Sequence, residues 1–92
     1  MQNAERDRGP QRGGEGAPPA LIIDALGRRC PVPVIMLAEQ IGDVQPGELV
    51  EVLADDAVAQ TDVPAWCGLK SHELVRLEER PAGWSFLVRR SH

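Results

Sequence analysis

Leu26-Gly27-Arg28-Arg29-Cys30-Pro31-Val32-Pro33 separates a short apolar run, Leu21-Ile22-Ile23-Asp24, from an apolar-periodic run that begins at Val34. The first run reads as a β-strand. The second reads as an amphipathic helix with Val34, Leu37, Ala38, Ile41 and Val44 on one face. Cys30 therefore falls at or just before a helix start, where the first N–H groups lack intrahelical partners and favour an anion. Pro31 and Pro33 suit a first helical turn, in which a missing donor is no loss. With Pro31 as the first helical residue, the amides of Val32 and Val34 are free to face the sulfur, and Arg28 and Arg29 add positive charge. Such surroundings lower a cysteine pKa from about 8.5 to roughly 3.5–7.5, so Cys30 reads as a thiolate nucleophile. The plainer alternative is a small packing residue, since free cysteine is among the most buried residue types. The flanking arginines and prolines argue instead for an exposed turn.

Outward from this stretch, Gly42 weakens the helix and Pro46-Gly47 ends it, leaving Met36, Glu39, Gln40 and Asp43 on its outer face. That face is either simply solvated or a docking face beside Cys30. Leu49 to Ala54 reads as a second strand, apolar except for Glu51, and Asp55 and Asp56 stop it and can cap the next element. Pro64 cannot lie deep in a regular helix. The stretch from Ala57 to Leu69 therefore reads as one loose turn and then a helix capped by Asp62, with Pro64 in its first turn and Val63, Trp66 and Cys67 sharing a face. Gly68 helps to end it. His72 to Glu79 and Trp84 to Arg90 read as strands joined by the turn Pro81-Ala82-Gly83, with Trp84, Phe86 and Val88 on one side. The order β-α-β-α-β-β, with a right-handed crossover, places both helices on one face of a mixed four-stranded sheet. The expected fold is an α+β, two-layer sandwich.

Cys67 beside Trp66 reads as a packing residue, with a resolving thiol for Cys30 as the alternative. His72 is a candidate general base that no sequence feature brings to Cys30. Cys30, Cys67, His72 and His92 lack the spacing of a zinc site, so no metal is expected.

The chain has 92 residues and a net charge of −4. Residues 1–20 are rich in Gly, Pro and Arg, with no hydrophobic side chain larger than Ala after Met1, and read as a disordered tail. A basic interaction arm is the alternative, disfavoured because Glu5, Asp7 and Glu15 balance Arg6, Arg8 and Arg12. Residues 21–92 form one small domain, near the lower limit for a self-sufficient core. It has no room for both a large pocket and a cofactor, so its chemistry belongs at the surface. Eleven acids against seven bases in that domain disfavour direct nucleic-acid binding and suit a partner with a basic docking face. No run of about 18 apolar residues predicts a membrane span. The N-terminus lacks the apolar core of a signal peptide, so a cytoplasmic location with free cysteines is expected.

The stretch Gly27-Arg28-Arg29-Cys30-Pro31-Val32-Pro33-Val34 resembles the Cys-Pro-x-Pro signature of the TusA/SirA-like sulfur-carrier family. The resemblance continues through Pro46-Gly47-Glu48, Ala54-Asp55-Asp56, Asp62-Val63-Pro64-Ala65-Trp66-Cys67, His72-Glu73-Leu74 and Phe86-Leu87-Val88-Arg89. Arg28 departs from it, standing where an apolar residue is common, and the tail before Leu21 is longer than usual. The resemblance implies a fold similar to the C-terminal domain of translation initiation factor three. It implies a carrier that accepts sulfane sulfur on Cys30 as a persulfide, with Arg29 as an electrostatic support and Pro31 and Pro33 setting the entry geometry. The implied donor is a cysteine desulfurase that brings its own pyridoxal phosphate, so the carrier itself needs no cofactor. The implied acceptors are relay proteins leading to 2-thiouridine in tRNA, or proteins of sulfur oxidation, molybdenum-cofactor or selenium pathways. Two other readings compete: a non-enzymatic interaction or regulatory module in which Cys30 is dispensable, and a thiol redox protein pairing Cys30 with Cys67. The absence of a Cys-x-x-Cys motif weakens the last.

Overall fold

The computed structural model describes residues 18–92, so the expected tail lies outside the described residues up to residue 17. Its last residue, Ala20, donates its N–H to the carbonyl of Leu49 at 2.8 Å and leads into the sheet. The elements in order are β1 (Leu21–Ala25), α1 (Val32–Gln40), a short 3-10 turn (Ile41–Asp43), β2 (Leu49–Ala54), α2 (Ala59–Lys70), β3 (Glu73–Arg80) and β4 (Gly83–Arg89). The four strands lie in the order β1-β2-β4-β3. β1 and β2 are parallel, with Ile23 beside Val52, whereas β4 runs antiparallel to both β2 and β3. This is the expected mixed sheet, and both helices cover one of its faces.

The core forms where period-2 strands meet period-3.6 helices. Ile23 from β1, Val50 and Val52 from β2, and Phe86 and Val88 from β4 pack against Leu37 of α1 and Val63 and Cys67 of α2. Each large aliphatic side chain removed from water in this way contributes about 1.5–3 kcal/mol. The inward line of α1 runs through Pro33 and Leu37 and on to Val44. That line is rotated from the expected one: Ala38 is exposed, while Met36, expected on the outer face, packs partly against the core.

β3 contains an irregularity that its sequence hides. Leu74 and Leu77 are three residues apart and would face opposite sides of a regular strand. A register shift between Leu74 and Arg76 makes Val75 an extra residue, so Leu74 lies opposite Val88 and Leu77 opposite Phe86. Both leucines thereby join the helix-covered face. On the other face, Leu49 and Leu87 are buried as well, although no helix among the described residues covers them. Glu51 and Arg76 flank Leu87 in register. Glu51 accepts hydrogen bonds from Ser85 Oγ at 2.5 Å and from Arg80 Nη2 at 2.9 Å, and Arg89 pairs with Glu73 at 3.0 Å. Charged side chains with long apolar stems thus roof this side of the sheet.

The expected second helix needs correction. α2 is continuous from Ala59 to Lys70, with Pro64 inside it and Asp62 in its first turn rather than capping it. Asp56 Oδ1 accepts the N–H of Val58 at 3.0 Å, and the N–H groups of Ala59 and Gln60 bond the carbonyls of Asp56 and Ala57. Those turns start the helix before Pro64 is reached, and proline then removes a single donor. Gly68 lies within the helix. Termination falls to Ser71, left-handed at φ 62°, whose N–H and that of His72 return to carbonyls of the last turn.

Candidate functional site between β1 and α1

β1 and β2 run parallel, so the loops leaving their C-terminal ends lie side by side, the usual place for a site in an open α/β sheet. Two consecutive acids after β2 tie down the loop after β1. Gly27, left-handed at φ 81°, donates its N–H to both carboxylate oxygens of Asp55 at 3.0 Å. Cys30 donates its N–H to Asp56 Oδ2 at 2.9 Å. The same Asp56 carboxylate therefore holds both the Cys30 backbone and the start of α2. A depression of about 320 Å³ beside this loop is lined by Gly27, Arg28, Arg29, Asp55 and Asp56.

α1 starts one residue later than the sequence suggests. Pro31 is the cap residue and Val32 the first helical one. The Cys30–Pro31 peptide is cis. The N–H of Val32 is engaged by the carbonyl of Arg29 at 2.8 Å, so it is not free to face the sulfur. Pro33 is buried and anchors the helix start against the core. Cys30 itself is half-buried at the rim, partly packed against the core and partly open to solvent.

The electrostatics of the thiol reverse the sequence expectation. Burial, the charges of Asp62 and Asp56, and a side-chain hydrogen bond with Asp62 together push the Cys30 thiol above its ordinary pKa. The arginines next to Cys30 in the chain are exposed, and the positive charge of Arg29 falls on Asp56 instead. Hydrogen bonds from the backbones of Val58 and Cys30, aided by Arg29, hold Asp56 below the usual carboxylate range. Resting Cys30 is thus a thiol beside carboxylates, not a thiolate stabilised by arginines. The charge of Arg29 bears on Asp56, the carboxylate that accepts the Cys30 N–H.

The other residues singled out by sequence lie elsewhere. Cys67 is buried on the core face of α2, as its packing reading requires, and burial pushes its thiol up to about 11. His72 stacks between Trp66 and His92 at ring-centroid distances of 5.5 and 4.7 Å, and its Nδ1 accepts the N–H of Ser91. It follows the C-terminal end of α2, whereas the charge of Asp62, in the first turn of that helix, bears on Cys30. The separation is about 12 Å along the helix axis, so His72 is not brought to the cysteine. Asp56 and Asp62 are the site residues that sequence reading missed as such. In the sequence both read as candidate helix caps and as members of family-like stretches, and nothing in local pattern shows that they bear on a cysteine 26 or more residues away. Among the described residues, no group of three or more His, Cys, Asp or Glu could hold a metal ion, and no helix is long and apolar enough to cross a membrane.

A comparison with solved structures finds the SirA-like protein of Desulfitobacterium hafniense, which is 24% identical with a TM-score of 0.64 over 75% of this chain and 93% of that one. At that identity the likeness concerns the fold, and it agrees with the two-layer arrangement of four strands and two helices. Among protein families, the one described as sulfurtransferase TusA matches residues 21–90, a span that holds the cysteine loop, both acid-bearing turns and every element of the sheet. Strand order, helix placement and that nearly complete match agree, and the chain belongs to the sulfurtransferase TusA family.

Proposed function

We propose that Cys30 is the sulfur-bearing residue of this family member and that it works as a persulfide carrier in the cytoplasm. The observation that carries the reading is the placement of Cys30. It is half-exposed at the C-terminal edge of the parallel strand pair, and its backbone is held by Asp56 at 2.9 Å. Cys67, the other cysteine, is sealed in the core. In the first exchange, Cys30 attacks the outer sulfur of a donor persulfide and the donor's inner sulfur leaves. In the second, an acceptor thiol attacks the loaded Cys30 persulfide. Access, thiolate fraction and leaving-group pKa govern both steps. The donor is a cysteine desulfurase or a similar protein, and the acceptor is a protein leading to tRNA 2-thiouridine or to another sulfur-trafficking pathway. Leu26, Ile35 and Val58 are large apolar side chains left exposed on the cysteine loop, on α1 and at the head of α2. They suit transient protein docking better than capture of a small molecule. Pro31 and Pro33 set the entry geometry of α1, and Arg29 supports the site through Asp56.

The test is transfer of radiolabel from labelled cysteine through a desulfurase. Wild-type protein and Cys67→Ser are expected to take up label and Cys30→Ser to take up none. Undiminished labelling of Cys30→Ser would reject the assignment.

A further inference from the structure

Cys30 closes a loop with no regular structure, yet its backbone is tied to a different element by one side chain. We propose that Asp56 is a positioning residue for sulfur transfer, its single carboxylate fixing the Cys30 backbone to the head of α2 so that a docked donor meets the sulfur in line. This role rests on the sulfur-accepting function proposed above for Cys30.

The first half of the loop is held close to β1 and to Asp55. Leu26 donates its N–H to Asp24 Oδ1 at 3.1 Å, Gly27 donates to both Asp55 oxygens at 3.0 Å, and Arg28 donates to the carbonyl of Ala25 at 3.2 Å. At Cys30 the tether changes. Its N–H goes to Asp56 Oδ2 at 2.9 Å, and Pro31, next in the chain, has no N–H to share the task. Sγ lies three bonds from that nitrogen, so holding the N–H restricts the sulfur largely to its χ1 rotamers.

The far side of the clamp is equally definite. Asp56 Oδ1 accepts the N–H of Val58 at 3.0 Å, and the Asp56 carbonyl accepts that of Ala59 at 2.9 Å. Ala59 is fully buried, which roots the clamp in the core, whereas the Val58 side chain is exposed. Val58 is one of the apolar side chains assigned above to protein docking. One carboxylate therefore joins a docking residue to the residue that bears sulfur. Asparagine could not reproduce this arrangement, because it keeps one acceptor oxygen and turns an NH2 group toward the other N–H. The geometry matters to the exchange because the entering, central and leaving sulfurs must lie nearly on a line. A misplacement of about 1 Å can cost on the order of a hundredfold in rate. A small reagent that approaches from any open side has no such requirement.

Asp56→Asn separates the two kinds of reactivity. Single-turnover loading from a persulfidated desulfurase at saturating concentration should slow on the order of a hundredfold, with little change in the donor concentration that gives half the maximal rate. Iodoacetamide at the same pH should alkylate Cys30 of the variant no more slowly than wild type, since it needs thiolate but no fixed approach. Resistance of Cys67 to that reagent reports that the variant is folded. Loading at the wild-type rate would overturn the positioning role. So would loading and alkylation that slow together, which a general loss of structure would give. Wild-type protein supplies a second test that does not depend on the variant. As pH falls, the amide resonances of Cys30 and Val58 should move with one shared midpoint below the usual carboxylate range, because one carboxylate accepts from both and Arg29 helps to keep it ionised. Separate midpoints, or no movement, would overturn the clamp. A shared midpoint in wild-type protein that takes up no sulfur would overturn the carrier function instead, and the positioning role with it, leaving Asp56 a purely structural tie.

Discussion

At Cys30 the arginines adjacent in sequence and the carboxylates adjacent in space act in opposite directions. Arg28 and Arg29 are visible in a string of letters, and they argue for a lowered pKa. Asp56 and Asp62 lie far along the chain, and they argue for a raised one. The structure decides for the carboxylates, because burial and Asp62 dominate the thiol's surroundings. Alkylation of the folded protein should therefore show a Cys30 midpoint above that of an unstructured cysteine peptide. Cys67 should label only on unfolding. A Cys30 midpoint below the peptide's, or equal labelling of the two thiols, would contradict this picture. The position of Cys30 at a helix start was legible from the flanking prolines. The sign of its electrostatics was not, since only tertiary contact brings the acids to it. Gly27 shows the same limit: its turn could be read from sequence, but the grip of Asp55 on its N–H could not.

Strands with clean alternation or compact apolar runs were legible nearly to the residue, β2 from Leu49 to Ala54 above all. Two elements were not. α2 reads as broken at Pro64, because proline's cost is local and obvious while the turns seeded by Asp56 are visible only once the backbone is built. β3 reads as a plain strand, because a bulge that returns Leu74 and Leu77 to one face leaves no mark of its own in the residue types. The turn between β3 and β4 bears on the site directly. Gly83 adopts φ 113°, and a side chain there would meet the backbone of Ala54 and Asp55, whose carboxylate holds the cysteine loop. Gly83→Ala should therefore lower stability by roughly 1–3 kcal/mol, the scale of backbone strain at a forbidden conformation. Urea denaturation with an unchanged midpoint would show that the hairpin accommodates the methyl group freely.

At the scale of the whole molecule, the acidic excess read from composition does not describe the site, where exposed Arg28 and Arg29 share one depression with Asp55 and Asp56. Net charge sums over a surface, whereas a docking partner meets a local mixture. The fold's dependence on a neutral core thiol has its own signature in pH. The folded state holds the Cys67 thiol at about 11, above the ordinary value of 9.0 that unfolding restores. Its contribution to stability is complete below pH 9.0 and is lost as pH rises toward about 11. Denaturation midpoints should fall across that window in wild type, and more shallowly in Cys67→Ala; parallel slopes would contradict a buried neutral thiol. Whether this molecule carries sulfur on Cys30 is read out by intact-mass measurement and peptide mapping of the protein after incubation with a persulfidated desulfurase under non-reducing conditions. One added sulfur is expected, located on the peptide that contains Cys30 and released by reductant. An unmodified mass, or added sulfur on the peptide that contains Cys67, would contradict it.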